Sequence, residues 1–215
     1  MVTATTSSFP TAGTALDGDL RLPPGAHGVV VFAHGSGSSR HSPRNRHVAG
    51  ELNRRSLGTL LVDLLTHEEE VSEAESRHLR FDIGLLADRL IGLVDWLGEQ
   101  PETRSLPIGL FGASTGAAAA LVAAADRHDQ VHAVVSRGGR PDLAGPALAQ
   151  VEAPTLLIVG EQDLPVVELN EQARAAMTVT AELRVVPGAT HLFEEPGALE
   201  IVAEEAGTWF ATHLR

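Results

Sequence analysis

The chain has 215 residues, 43% of them apolar, with no cysteine and a formal net charge of -12. That composition suits one globular domain and excludes disulfides, thiolate nucleophiles and cysteine-ligated metal centres. All 16 basic residues are arginine, which removes Schiff-base lysines and P-loop lysines, and the acidic balance makes nucleic acid and anionic membranes unexpected partners.

No apolar run reaches the roughly 18 residues that cross a bilayer, and residues 1–14 lack the basic and apolar regions of an export signal. The expectation is a cytoplasmic protein in which residues 1–215 form a single domain. Residues 1–13, rich in Ser, Thr, Gly and Pro from Thr3 onward, read as a flexible lead-in, and 15–22 as an edge strand. Strands follow at Val29–Ala33, 59–62, 108–111, 131–135, 155–159 and 183–186. Their apolar character is continuous rather than alternating, as in a parallel sheet covered on both faces. Between them, 82–99 carries Leu86, Leu90, Leu93 and Leu97 on one helical stripe, 117–126 is an Ala-rich helix, and a last helix turns Leu199, Val202, Ala206 and Trp209 inward. Strands alternating with helices predict an α/β fold with a doubly wound, mostly parallel sheet, in which ligands sit beyond the carboxyl ends of the strands.

Directly after 108–111 stands Gly112-Ala113-Ser114-Thr115-Gly116, and directly after that the Ala-rich helix. A sharp strand-to-helix turn needs residues without bulk two positions before and two after its central serine, and it lifts the hydroxyl clear of the sheet. The bare string is weak evidence, and its position between strand and helix is what carries it. A serine at its free pKa is a poor nucleophile, so it needs a base, and the base needs an acid to fix its tautomer. The loop after 155–159 supplies Asp163 in Gly160-Glu161-Gln162-Asp163. The loop after 183–186 supplies His191 in Pro187-Gly188-Ala189-Thr190-His191. Ser114, Asp163 and His191 thus occupy the ends of three different strands, in the chain order this turn predicts.

Asp142 is the rival acid, in Arg137-Gly138-Gly139-Arg140-Pro141-Asp142, and Asp163 is preferred for its shorter turn. His34 is the rival base, but its place in His34-Gly35-Ser36-Gly37-Ser38 suits shaping of the backbone. The expected oxyanion donors are the backbone N–H groups of Thr115 and of Ser36 or a close neighbour. No metal or organic cofactor is expected, because His41 and His47, six residues apart, fall on different helix faces without a paired carboxylate.

Residues 34–37, the Ser114 turn, 160–163 and 188–194 together resemble the α/β-hydrolase superfamily, and within it the dienelactone-hydrolase-like group, over nearly the whole chain. The resemblance implies a minimal hydrolase without a large cap domain. Dienelactone hydrolases proper use a cysteine nucleophile where this chain has Ser114, so the resemblance implies a serine hydrolase and not a lactone substrate. The chain is also similar to the hydrolase half of proteins that carry a phosphoribosyltransferase domain.

The expected reaction is cleavage of a small carboxylic ester or thioester through an acyl-enzyme on Ser114, with an acyltransferase or a non-catalytic module on the same fold as the alternatives. The run 67–75, with five glutamates, reads as a solvated loop, and 64–80 is the only stretch long enough to act as a partial lid, so an open site is expected. Arg40, Arg44, Arg137 and Arg140 border the same sheet edge and are candidates for holding an anionic substrate. Pairing with acids such as Glu194 is the competing reading. Nothing in the sequence bears on oligomeric state.

Overall fold

The computed structural model describes residues 3–11, 13–76 and 78–215. In chain order these form β1 (Thr3–Thr11), β2 (Thr14–Leu22), β3 (Val29–Ala33), α1 (Pro43–Arg54), β4 (Gly58–Val62), α2 (His67–Ser76), α3 (Ile83–Glu99), β5 (Ile108–Ala113), α4 (Thr115–Asp126), β6 (Val131–Arg137), β7 (Thr155–Gly160), α5 (Leu164–Ala176), β8 (Ala181–Val186) and α6 (Ala198–His213). Short 3-10 segments lie at Leu79–Phe81 and Pro141–Gln150. The strands form one sheet in the order β1-β2-β4-β3-β5-β6-β7-β8. β3 to β8 run parallel, and the hairpin β1–β2 joins antiparallel to β4. This is the doubly wound sheet that the alternation of strands and helices predicts.

Every residue of β3, β4, β5 and β7 is buried, because helices cover both faces. On one face the Leu86, Leu90, Leu93 and Leu97 stripe of α3 packs with the alanines of α4 against Val31 and Leu110. On the other, Val48 and Leu52 of α1 and Val202 and Phe210 of α6 pack on Phe32 and Phe111, whose rings lie 4.8 Å apart. Each such side chain contributes about 1.5–3 kcal/mol on burial. α3 starts where it is capped: Asp82 accepts the Leu85 N–H at 3.0 Å, satisfying a donor that has no partner within the helix.

Two expectations need correction. Residues 3–11 are a strand and not a flexible lead-in, so the sheet edge is β1, and β2 is an inner strand of the antiparallel end. Phe9 anchors it, 2% exposed and edge-on to Trp96 at 5.0 Å, and the Thr11 hydroxyl donates to the Arg89 carbonyl of α3 at 2.5 Å. Polar composition suggested fraying, but threonine suits a pleated edge and one aromatic anchor is enough to dock it.

Nor are residues 67–75 a solvated loop, since α2 covers them. Thr66 and Glu69 cap its start reciprocally, the Thr66 N–H donating to Glu69 Oε2 at 2.8 Å and the Glu69 N–H to Thr66 Oγ1 at 3.2 Å. The Thr-x-x-Glu signature and a first turn of three glutamates, which favour a helix N-terminus, were both present in the sequence. Among the described residues no helix is long and apolar enough to cross a membrane.

Candidate active site

Ser114 sits between β5 and α4 with φ 51° and ψ -121°, a backbone conformation that residues other than glycine rarely adopt. Its neighbours make the turn possible. A Cβ at Gly112 would stand 2.3 Å from Cα of Ala117, and one at Gly116 would stand 2.4 Å from the carbonyl oxygen of Ala33. The turn is locked by the Ser114 N–H, which donates to the Arg137 carbonyl at 3.2 Å, and by the Ser114 carbonyl, which accepts from Arg140 N–H at 3.1 Å.

The loops that carry Asp163 and His191 meet beside it. His191 Nδ1 lies 2.6 Å from Asp163 Oδ2, a short bond that selects the tautomer with the proton on Nδ1 and leaves Nε2 to accept. Close backbone approach sets this geometry. Gln162 N–H donates to the Ala189 carbonyl at 2.9 Å and Glu161 N–H to the Val186 carbonyl at 3.0 Å. A Cβ on Gly160 would lie 2.5 Å and 2.6 Å from the carbonyl oxygens of Ala189 and Thr190. Behind the histidine, Phe193 is buried with φ 56°, holding the loop down from below. Ser114, His191, Arg44 and Arg137 line one cleft of about 210 Å³ together with Gly35, Ser36 and Ser38. Asp142 is elsewhere occupied, accepting both Arg140 Nε and Nη2 at 2.8 and 2.7 Å.

The loop after β3 is the opposite wall. His34 is buried; its Nε2 accepts the Leu64 N–H at 3.0 Å, and its Nδ1 faces the Gly35 carbonyl at 2.9 Å. This bonding describes a neutral ring with its proton on Nδ1, in keeping with burial, which pushes the His34 pKa down against the pull of Asp63 and Glu70. His34 therefore shapes the backbone. The Thr115 N–H opens α4 and has no backbone acceptor among the described residues. The Ser36 N–H donates to Thr115 Oγ1 at 3.0 Å, so this expected donor already has an acceptor, a contact with no signal in the sequence.

A larger cavity of about 540 Å³ adjoins the cleft, sharing Gly35, Ser36 and Ser38 with it and reaching Thr115, and is walled by Leu64, Leu65, Glu73 and Arg80 from the stretch expected as a partial lid. That stretch is tied down by Glu73 to Arg80 at 2.7 Å and by Glu69 to Arg89 at 2.5 Å.

The four candidate arginines divide. Arg40 is bound to Asp63 by both backbone and side chain, and Arg140 to Asp142. These two are structural ion pairs, which corrects their expected substrate-holding role. Arg44 and Arg137 line the cleft, and Arg44 also pairs with Glu194 at 3.3 Å, the acid named in the competing reading.

Sheet order, the strand-to-helix turn at Ser114 and the strand-end positions of Asp163 and His191 define an α/β-hydrolase. A family model described as the dienelactone hydrolase family matches residues 17–211, and the chain belongs to that family. It is 57% identical to a solved dienelactone hydrolase from Anabaena variabilis, with a TM-score of 0.98 over 100% of this chain and 99% of that one. Est1E from Butyrivibrio proteoclasticus, 16% identical over 97% of this chain and 98% of its own, has a TM-score of 0.80 and shares the fold. A putative phosphoribosyl transferase of Mycobacterium tuberculosis is 61% identical over 197 residues, 92% of this chain. The chain spans 44% of the length of that relative.

Proposed function

We propose that the chain is a serine hydrolase that cleaves a small carboxylic ester or thioester through an acyl-enzyme on Ser114. The observation that carries this reading is the His191–Asp163 bond of 2.6 Å at the cleft into which the Ser114 turn opens. In this reading His191 Nε2 takes the proton of Ser114 as its oxygen attacks the acyl carbon. Asp163 holds the ring and stabilises the imidazolium. The oxyanion is met by the Thr115 N–H, with the Ser36 N–H as second donor once the Thr115 hydroxyl yields it. His191 then returns its proton to the leaving alcohol or thiol, and water activated by the same ring releases the acid. The Ser114 cleft of about 210 Å³ and the cavity of about 540 Å³ that shares Gly35, Ser36 and Ser38 with it offer room in the range of a small-molecule ester. The transferase named for the mycobacterial relative belongs to a protein of which this chain matches 44%, and the geometry around Ser114 supports acyl chemistry.

Ser114→Ala is expected to lower ester turnover by a factor approaching ~10⁶ and to abolish labelling by a fluorophosphonate probe, with the circular-dichroism spectrum unchanged. If the folded variant keeps more than about one hundredth of the turnover, the nucleophile is another group.

A further inference from the structure

Arginines in this acidic chain are generally held by carboxylates: Arg40 by Asp63, Arg46 by Asp19, Arg80 by Glu73, Arg89 by Glu69, Arg127 by Asp95 and Arg140 by Asp142. Arg21, Arg104, Arg174 and Arg215 are exposed and form no ion pair among the described residues, whereas Arg137 forms none although it is buried. It ends β6, is 7% exposed, has no carboxylate within ion-pair distance among the described residues, and its Nε is buried without an acceptor. Its guanidinium lies 5.9 Å from the centre of the Phe193 ring, a contact that weakly favours a cation. Beside it stands a second positive charge. Arg44, at the start of α1, also has a buried Nε without an acceptor, and its Nη1 reaches only the exposed Glu194, at 3.3 Å. Burial and Arg44 both push the Arg137 pKa down, to about 10. Burying an uncompensated cation is strongly unfavourable, and a second cation nearby adds to that cost.

We propose that Arg137 and Arg44 form an anion subsite beside Ser114 that takes a doubly charged group of the substrate, a phosphate monoester carried on the acyl chain or on the leaving group. A carboxylate fills one guanidinium fork. A phosphoryl group brings about -1.5 to -2 charge and three acceptor oxygens, enough to meet both forks and to offset both cations while Glu194 remains at the rim. The phosphoryl group is a handle and is not attacked. The bond broken is the acyl C–O or C–S bond, Ser114 being acylated while His191 protonates the leaving group, and water then restores the serine and yields the acid. The substrate class rests on the serine-hydrolase reading above, whereas the anion subsite stands apart from it.

The test separates the two. Ser114→Ala protein, titrated with inorganic phosphate against chloride at equal ionic strength, is expected to bind one phosphate per chain by calorimetry, and Arg44→Ala in that background to weaken binding about tenfold or more. Arg44 is half-buried at the start of a helix, so its removal leaves the core intact, whereas Arg137→Ala serves as the second variant. With Ser114 present, esters of one alcohol whose acyl chains end in phosphate, carboxylate or methyl are compared. The ratio of kcat/KM for the phosphate-bearing ester to that for the methyl ester is expected to exceed that for the carboxylate, and to fall about tenfold or more in Arg44→Ala. Absence of phosphate binding to Ser114→Ala, an unchanged ratio in Arg44→Ala, or equal preference for carboxylate and phosphate overturns the proposal. Phosphate binding that depends on Arg44, without turnover of any of the three esters, upholds the subsite and overturns the hydrolase reading instead.

Discussion

The two walls of the Ser114 cleft are built in different ways. On the β6–β8 side, Asp163 and His191 are placed by backbone meeting backbone: Gln162 on Ala189, Glu161 on Val186, and Gly160 packed against two carbonyl oxygens. On the β3–β4 side the backbone is held by side chains, with His34 on Leu64, Asp63 on Arg40 and Thr115 on Ser36. Backbone contacts do not titrate, and they tolerate no added atom. Side-chain ties tolerate more steric change but respond to pH. The wall that carries Asp163 and His191, the proposed acid and base, thus rests mainly on backbone contacts, with carboxylate ties added where Glu161 Oε2 accepts the Gly188 N–H at 2.8 Å and Glu195 Oε1 accepts the Thr190 hydroxyl at 2.6 Å, while the β3–β4 loop leans on the titratable His34 and Asp63.

This contrast can be broken from either side. Asp163→Asn is expected to lower kcat by roughly 10⁴ by turning His191 to the wrong tautomer, while Asp142→Asn, which touches only Arg140, leaves kcat within about threefold. Steady-state kinetics on one ester decides between them, and reversed effects would move the acid to the loop after β6. Gly160→Ala should destabilise the fold by about 1–3 kcal/mol, because the new methyl meets immovable carbonyl oxygens. Its kcat should fall more than its KM rises, since the shift displaces His191 rather than the cleft floor; urea unfolding together with kinetics checks both.

The smallest effect lies on the other wall. Burial lowers the His34 pKa, so below about pH 6.5 the unfolded chain takes up a proton that the folded chain resists, and this contribution to stability is lost as pH falls. His34→Phe leaves the Leu64 N–H without its acceptor, costing ~1–3 kcal/mol at neutral pH. Comparing the two proteins by urea unfolding at about pH 5.5 and 7.5 should show a shallower acid loss in the variant. A parallel fall in both would remove His34 as the titrating support.

Much of this was legible in the chain. The continuous runs that became β3 to β8 could be read because a strand covered on both faces needs apolar residues without alternation. β8 is the informative exception. It is an edge strand with Arg184 and Val185 exposed, and only its aliphatic end at Val186 is fully buried. The helices α1 and α5 were harder to read, although their starts carry Ser42-Pro43 and Asp163-Leu164-Pro165, because their apolar stripes are thin. Their few buried residues, Val48 and Leu52 in one and Val166 and Ala173 in the other, make too short a pattern to stand out from a polar loop.

What the sequence by itself determined was the strands β2 to β8, the glycine-flanked serine between strand and helix, and the strand-end positions of Asp163 and His191. Each of these leaves a local mark in the chain, an apolar run or a glycine beside the turn, even where the atoms that require it, such as the Ala33 carbonyl against Gly116, come from a distant segment. Only the tertiary structure decided the partners: that residues 3–11 dock as an edge strand, that Thr115 occupies the Ser36 N–H, and that Arg40 and Arg140 are neutralised while Arg44 and Arg137 face the cleft. For Arg40 and Arg44 the carboxylate within about 4 Å comes from a distant segment, Asp63 or Glu194, whereas Arg140 takes Asp142 two residues on; that Arg137 is buried with no carboxylate beside it is decided by how distant segments pack.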